Sequence, residues 1–149
     1  MTQMSVAARM EQAIRTYIEV CNAADADAIG RCFEPDTEHF FPAAPKWSGS
    51  KVIGTNFAKI VTEKGRAWTV DQVVIDEHRH AAIFEWTQSD QPPRILRGVD
   101  WVVFAKDTLR FKEVRSYFAV RSDPEATCQQ LRDFDYGARG YPKTTVQLR

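Results

Sequence analysis

Asp100 lies in the run Ile95-Leu96-Arg97-Gly98-Val99-Asp100-Trp101-Val102-Val103-Phe104, among mostly apolar neighbours. A carboxyl group so placed is costly to ionise and titrates high unless a cation pairs with it. That suits a group that handles protons in a pocket. The competing reading is a salt bridge to Arg97 or Arg115. His39 and Phe41 stand two residues apart, so they share one face of a strand. If Phe41 lines a pocket, His39 does too, and a histidine titrates where it could move a proton. The plainer alternative is a structural histidine among aromatics. Glu85, in Ala82-Ile83-Phe84-Glu85-Trp86, is a rival base. Either Glu85 faces the pocket or Phe84 and Trp86 do; in the second case Glu85 sits on the outer face or a dimer rim. Arg115 and Tyr117 share one face of a later strand. Turned inward, they could bind a carbonyl or a carboxylate.

Trp47, Phe57 and Trp101 are large enough to clamp a ring-shaped ligand; the alternative is core packing or, for Trp101, a dimer interface on the face opposite Asp100. His78 and His80 flank a turn beside Asp76 and Glu77, but no third ligand is fixed by spacing, so a solvated turn is expected and no metal. No stretch has the spacing of a P-loop, a dinucleotide-binding fingerprint or a Ser-His-Asp elbow, and no cofactor is expected. The chain carries 20 basic and 20 acidic residues for a formal net charge of zero. That argues against nucleic acid or an anionic membrane as the main partner, because both need a cationic surplus. Cys21, Cys32 and Cys128 are widely spaced and read as reduced thiols. No apolar run nears the ~18 residues of a membrane span, and no signal-peptide pattern opens the chain, so a cytoplasmic address is expected.

These residues need elements to position them. Residues 5–22 read as a helix, with Val6, Met10, Ile14, Tyr17 and Cys21 on one stripe. Asp25 caps a second helix carrying Ala28, Ile29, Cys32 and Phe33, which Pro35-Asp36 stops. Residues 37–41 form a short strand, and 43–49 a loop. Ser50 caps a third helix to about Glu63, with Gly65 as its end. Four strands follow, over 67–77, 81–88, 94–106 and 109–121. Asp123-Pro124 opens a last helix to about Phe134. At 149 residues the chain suits one domain, residues 1–134, with an extended aromatic tail over 135–149. Segregated helices and an antiparallel sheet make the fold class α+β: a curved sheet wrapped around the N-terminal helices, enclosing a pocket.

The pattern resembles bacterial ketosteroid isomerase and its wider superfamily, also called nuclear-transport-factor-like or SnoaL-like. Tyr17-Ile18-Glu19-Val20 and Asp25-Ala26-Asp27-Ala28-Ile29 follow that family's helix–turn–helix, continuing through Phe33, Asp36-Thr37 and Pro42. The region from Gly49 to Phe57 parallels its third helix. Gly98-Val99-Asp100 resembles its fourth strand, and Arg115-Ser116-Tyr117-Phe118 the superfamily's last strand. The resemblance covers most of residues 10–120 and implies the cone-shaped fold. It also implies roles. Tyr17 falls at the oxyanion-hole tyrosine and Asp100 at the protonated aspartic acid that shares the hole, the handling of a neutral carboxylic acid for which that isomerase is known. Phe41 stands where the family has its general-base aspartate, and Ser116 where related epoxide hydrolases have a catalytic one.

The reading is therefore a cofactor-independent enzyme acting on a small apolar carbonyl compound by isomerisation, dehydration or cyclisation. Tyr17 and Asp100 would hold the substrate oxygen, and His39, or else Glu85, would move the proton. Phe41, Trp47, Phe57, Trp86, Arg115 and Tyr117 would shape and bind the ligand, and the exposed sheet face would pair two chains. The alternatives are a binding or dimerisation module without chemistry and an epoxide hydrolase using Asn56 and Tyr17.

Overall fold

The computed structural model describes residues 4–91, 94–119 and 131–140. Helix α1 spans Val6–Asn22 and begins where the Ser5 side chain accepts a hydrogen bond from the Ala8 amide at 3.1 Å. Its buried stripe is Met10, Ile14, Tyr17, Ile18 and Cys21, the helical spacing seen in the sequence. Asp25 caps α2, Ala26–Arg31, in the same way. Helix α3, Ser50–Lys64, differs from expectation at its start. Gly49, at φ 92°, is the N-cap, without a side-chain cap bond, and Ser50 is already helical. Gly65 ends α3 in the left-handed region, at φ 56°. α3 crosses α2 so closely that a Cβ on Gly54 would stand 2.2 Å from the Ala26 carbonyl oxygen.

Six strands form one sheet: β1 Phe33–Phe40, β2 Trp47–Ser48, β3 Ala67–Asp76, β4 Ala81–Asp90, β5 Arg94–Phe104 and β6 Phe111–Phe118, in the order β2-β1-β6-β5-β4-β3. All neighbours are antiparallel except β1 and β6, which run parallel. The sheet curves without closing, and the helices lie on its concave side. Two expectations change here. β1 starts at Phe33, because α2 ends before Pro35 is reached. Pro35, with no amide hydrogen, sits where the β1–β6 register shifts. Trp47 belongs to a short strand rather than a loop, paired with His39.

On β4, Phe84 and Trp86 are buried while Ile83 is exposed and Glu85 half-buried. The inward phase of this strand therefore belongs to the aromatics. The core joins α1, α2 and α3 to this concave face through Met10, Ile14, Ile29, Phe33, Ile53, Phe84, Val102, Phe111 and Val114. The expected last helix over 123–134 falls mostly on residues 120–130, outside the described residues; Leu131–Phe134 is turn and coil, not helix. Of the expected extended tail, 135–140 is described, and 136–140 is turn rather than extended chain. Phe40, Leu131 and Phe134 form a second buried cluster against Tyr117 and Tyr136, and the Arg132 amide donates to the Phe41 carbonyl at 2.9 Å. No helix among the described residues is long and apolar enough to cross a membrane.

Candidate functional site

The concave face encloses a cavity of about 190 Å³. Its apolar walls are Ile18, Phe41, Trp47, Phe57, Trp86 and Phe118. Into it project Tyr17 and Cys21 from α1, Asp100 from β5 and Ser116 from β6, all buried. Ala44, Ile60, Arg66, Trp68 and Phe118 are more exposed, so the opening lies among them.

Asp100 is the centre of this arrangement. The Trp86 indole Nε1–H donates to its Oδ1 at 2.9 Å, and the Ser116 hydroxyl donates to the same carboxyl group. The indole reaches it because β5 has a glycine where Trp86 crosses: a Cβ on Gly98 would stand 2.4 Å from the Trp86 ring. Burial raises the Asp100 pKa to about 6, with the bonds from Trp86 and Ser116 holding it from going higher. A carboxyl group at that value is mostly ionised at neutral pH and exchanges its proton readily there. The salt bridge to Arg97 or Arg115, the competing reading, is not among the ion pairs of the described residues. Arg97 bonds Thr87 on the outer face, and Arg115 pairs with Glu113 at 2.6 Å.

Tyr17 makes T-shaped contacts with three phenyl rings, Phe33, Phe57 and Phe111, at centroid distances of 5.1 to 6.0 Å. Its hydroxyl is hydrogen-bonded to the Cys21 thiol one turn along α1. Burial first, then the neighbouring Cys21 and Asp100, hold the Tyr17 hydroxyl well above the usual tyrosine range. It is thus a proton-bearing donor throughout the physiological range.

His39 does not border the cavity. It lies behind the wall, its ring stacked on Phe41 at 4.3 Å and within 5.5 Å of Phe57. Its Nε2 is 2.8 Å from the Ser116 Oγ, and its Nδ1 is buried without a hydrogen-bond partner. Burial lowers its pKa to about 3, so the ring is neutral at neutral pH. With Nε2 carrying the proton, His39 donates to Ser116, and Ser116 must turn its own hydrogen to Asp100. The face-sharing argument for His39 and Phe41 gave the right strand phase but not the right depth, because Phe41 covers the ring.

Glu85, Arg115 and Tyr117 stand apart from the cavity. β4 presents Trp86 and Gln88 inward, and β6 presents Ser116 and Phe118, so the alternate residues point to the other face. Asn56 does not line the cavity either. Sequence reasoning missed Ser116 as a partner of Asp100, and also Cys21, Arg66, Trp68 and Gln88. The available signal was register, since Asp100 pairs with Ser116 across β5 and β6. No group of three or more His, Cys, Asp or Glu is placed to hold a metal among the described residues.

Comparison with known proteins agrees with this architecture. No curated protein matches the chain. A Methylobium petroleophilum protein of unknown function with a cystatin-like fold superposes with a TM-score of 0.88 at 33% identity, covering 99% of each chain. An NTF2-like protein of unknown function from Cytophaga hutchinsonii gives 0.63 at 11% identity over 79% of this chain and 93% of that one. A Catenulispora acidiphila protein with a ketosteroid isomerase-like fold, in complex with trimethylamine, gives 0.65 at 9% over 73% and 86%. The family model of the SnoaL-like domain matches residues 14–113. The chain belongs to the SnoaL-like domain family, within the NTF2-like and ketosteroid isomerase-like fold.

Proposed function

We propose that this protein is a cofactor-independent enzyme acting on a small, largely apolar carbonyl compound, with Asp100 moving the proton and Tyr17 polarising the carbonyl. The observation that carries the reading is the Asp100 carboxyl group, buried in the cavity without a cationic partner among the described residues and held by two neutral donors. Nothing in such a site forces the carboxyl group to be either always charged or always neutral. The Tyr17 O–H, turned from the Cys21 sulfur it donates to in the free protein, would donate to the carbonyl oxygen. The ionised Asp100 would take a proton from the neighbouring carbon, giving an enolate whose charge the tyrosine stabilises. Returning that proton to a different carbon completes an isomerisation. Delivering it to a departing hydroxyl completes a dehydration; attack of the enolate carbon on a second carbonyl, with Asp100 giving the proton to the alkoxide so formed, completes a cyclisation. The aromatic wall excludes water from these steps.

This division of labour departs from the one the family resemblance implies. There Asp100 is a neutral donor beside Tyr17, and a separate base works from the β1 side. Here that side offers Phe41 and a shielded, neutral His39. Below pH 6 the protonated Asp100 can join Tyr17 as a second donor, so the two arrangements are protonation states of one site.

A series of naphthols and phenols of graded acidity tests the reading by fluorescence titration on the native protein, Tyr17→Phe and Asp100→Asn. Each probe places one oxygen where an enolate oxygen would sit. Binding by the native protein that weakens about tenfold or more in Tyr17→Phe, and that tightens at neutral pH in Asp100→Asn because the amide stands in for the protonated acid, supports the reading. Native-like affinity in either variant sinks the mechanism and leaves a ligand-binding module without this chemistry.

We also infer that two copies pair through the outer sheet face. Val74, Ile83, Ile95 and Val99 are exposed there, and Val74, Ile83 and Trp101 stand in one cross-strand row. Sedimentation of the native protein and of Ile83→Glu checks this: a dimer that becomes a monomer is expected, and an unchanged species contradicts it.

A further inference from the structure

Asp90 does not border the cavity, yet it holds two polar residues that do. Arg66 donates from Nε to Oδ1 at 2.6 Å and from Nη2 to Oδ2 at 2.8 Å. The Gln88 Nε2 donates to the same Oδ1 at 3.3 Å. Both Arg66 and Gln88 line the cavity. The guanidinium is further steadied 5.9 Å above the Trp68 ring. The ion pair is largely out of water, its side chains 18% and 10% exposed. A pair in that position is a weak contributor to stability, because desolvation offsets the attraction. What it does provide is a fixed direction for two side chains that would otherwise be mobile.

The place of this cluster in the fold matters. β4 runs from the cavity floor to its mouth: Trp86, bonded to Asp100, then Gln88, then Asp90, with each step of two residues advancing about 7 Å. Gln88 faces Trp68 on β3, and Trp68 stands at the opening. The cavity therefore has polar groups at both ends and an apolar wall between them.

We propose that Arg66 and Gln88, held by Asp90, form a second polar subsite that binds a neutral oxygen function on the ligand, a hydroxyl or keto group, at the end remote from Tyr17 and Asp100. The inference rests on the reading of the cavity as a site for a small carbonyl compound, and it narrows the ligand to one oxygenated at both ends. Two guanidinium N–H groups are spent on Asp90 out of the five such a group carries, and the Gln88 amide retains its carbonyl acceptor and a second N–H. The subsite can thus both donate and accept, which suits a hydroxyl or a carbonyl. A carboxylate fits less well. Asp90 already neutralises Arg66, and a second anion beside it would meet like-charge repulsion in a poorly hydrated place.

The test compares three probes, 2-naphthol, 2,6-dihydroxynaphthalene and 6-hydroxy-2-naphthoic acid, by fluorescence titration. The proteins are native, Gln88→Leu, Arg66→Met and Asp100→Asn. The native protein is expected to prefer the diol to the mono-ol by about tenfold. That ratio falls towards one in Gln88→Leu and in Arg66→Met, while the carboxylate probe gains nothing over the mono-ol. If Arg66→Met does not fold, Gln88→Leu decides. A native ratio near one, a preference that survives in Gln88→Leu, or tightest binding by the carboxylate overturns the subsite. Failure of the underlying reading looks different: 2-naphthol then does not bind, or binds to Asp100→Asn as it does to the native protein.

Discussion

The two faces of β6 bury carboxyl groups in opposite ways. On the outer face, Glu113 accepts from Arg115 at 2.6 Å and from Arg139 at 2.6 and 3.0 Å. Both guanidinium groups also lie over the Phe134 ring, at 4.7 and 4.1 Å. Burial alone would push the Glu113 carboxyl group up, but the bonds from Arg139 and Arg115 outweigh it and hold its pKa below the usual range. On the inner face, Ser116 bonds to Asp100, no cation among the described residues offsets burial, and the pKa rises to about 6. Partial burial with cations makes a lasting charge. Burial with neutral donors makes a group that exchanges protons near neutrality. The outer cluster fastens residues 131–140 to the sheet; the inner one has the properties of a working site.

The largest expected effect breaks this contrast by pH. In the unfolded chain an aspartate titrates near 4 and a histidine near 6.5. Between pH 4 and 6 the native state holds one proton more than the unfolded state at Asp100 and one fewer at His39. The two slopes oppose each other, so native stability is nearly flat over that window. Asp100→Asn leaves the histidine slope, and stability falls by about 3 kcal/mol as pH drops from 6.5 to 4. His39→Gln leaves the aspartate slope, and stability rises by a similar amount, about 3 kcal/mol, from pH 6 to 4. Urea unfolding at several pH values reads both; parallel profiles for the two variants would refute the assignment.

A smaller effect belongs to the outer face. Glu113→Gln removes the carboxylate that pairs with Arg115, whose side chain is 13% exposed, and with Arg139. A loss of about 2 kcal/mol is expected. It should be equal at pH 5 and pH 8, because Glu113 is ionised at both; a loss confined to pH 8 would contradict the contrast. Smaller again is Gly98→Ala, on the inner face. Its Cβ would lie 2.4 Å from the Trp86 ring and 2.8 Å from the Tyr117 carbonyl oxygen. Overpacking costs about 1–2 kcal/mol and displaces the indole from Asp100. Thermal unfolding with a shift in tryptophan emission checks it, and an unchanged emission would contradict the contact.

The fold was legible where periodicity carried it. The α1 stripe, the Asp25 cap and the β4–β5–β6 meander follow from spacing and turn residues. The parallel β1–β6 pairing was not legible, because it joins segments more than seventy residues apart and leaves no local signal. Asp100 was readable as a costly carboxyl group from its apolar neighbours. Its partners were not, since Trp86 and Ser116 meet it through sheet register and through the space left at Gly98. His39 shows the limit of alternation: period two fixes the side of the sheet, whereas a neighbouring ring decides whether the residue reaches the cavity. Arg115 and Tyr117 were open until Ser116 fixed the phase of β6.

The central claim is that Asp100 is the proton-exchanging group of the cavity. Its most direct test is the pH titration of the Trp86 indole N–H resonance, which reports on the carboxyl group it donates to at 2.9 Å. The account predicts a single transition with a midpoint near 6, shifted upward in Ser116→Ala and abolished in Asp100→Asn. A resonance that does not move between pH 5 and 8, or a midpoint in the ordinary aspartate range near 4, would contradict it.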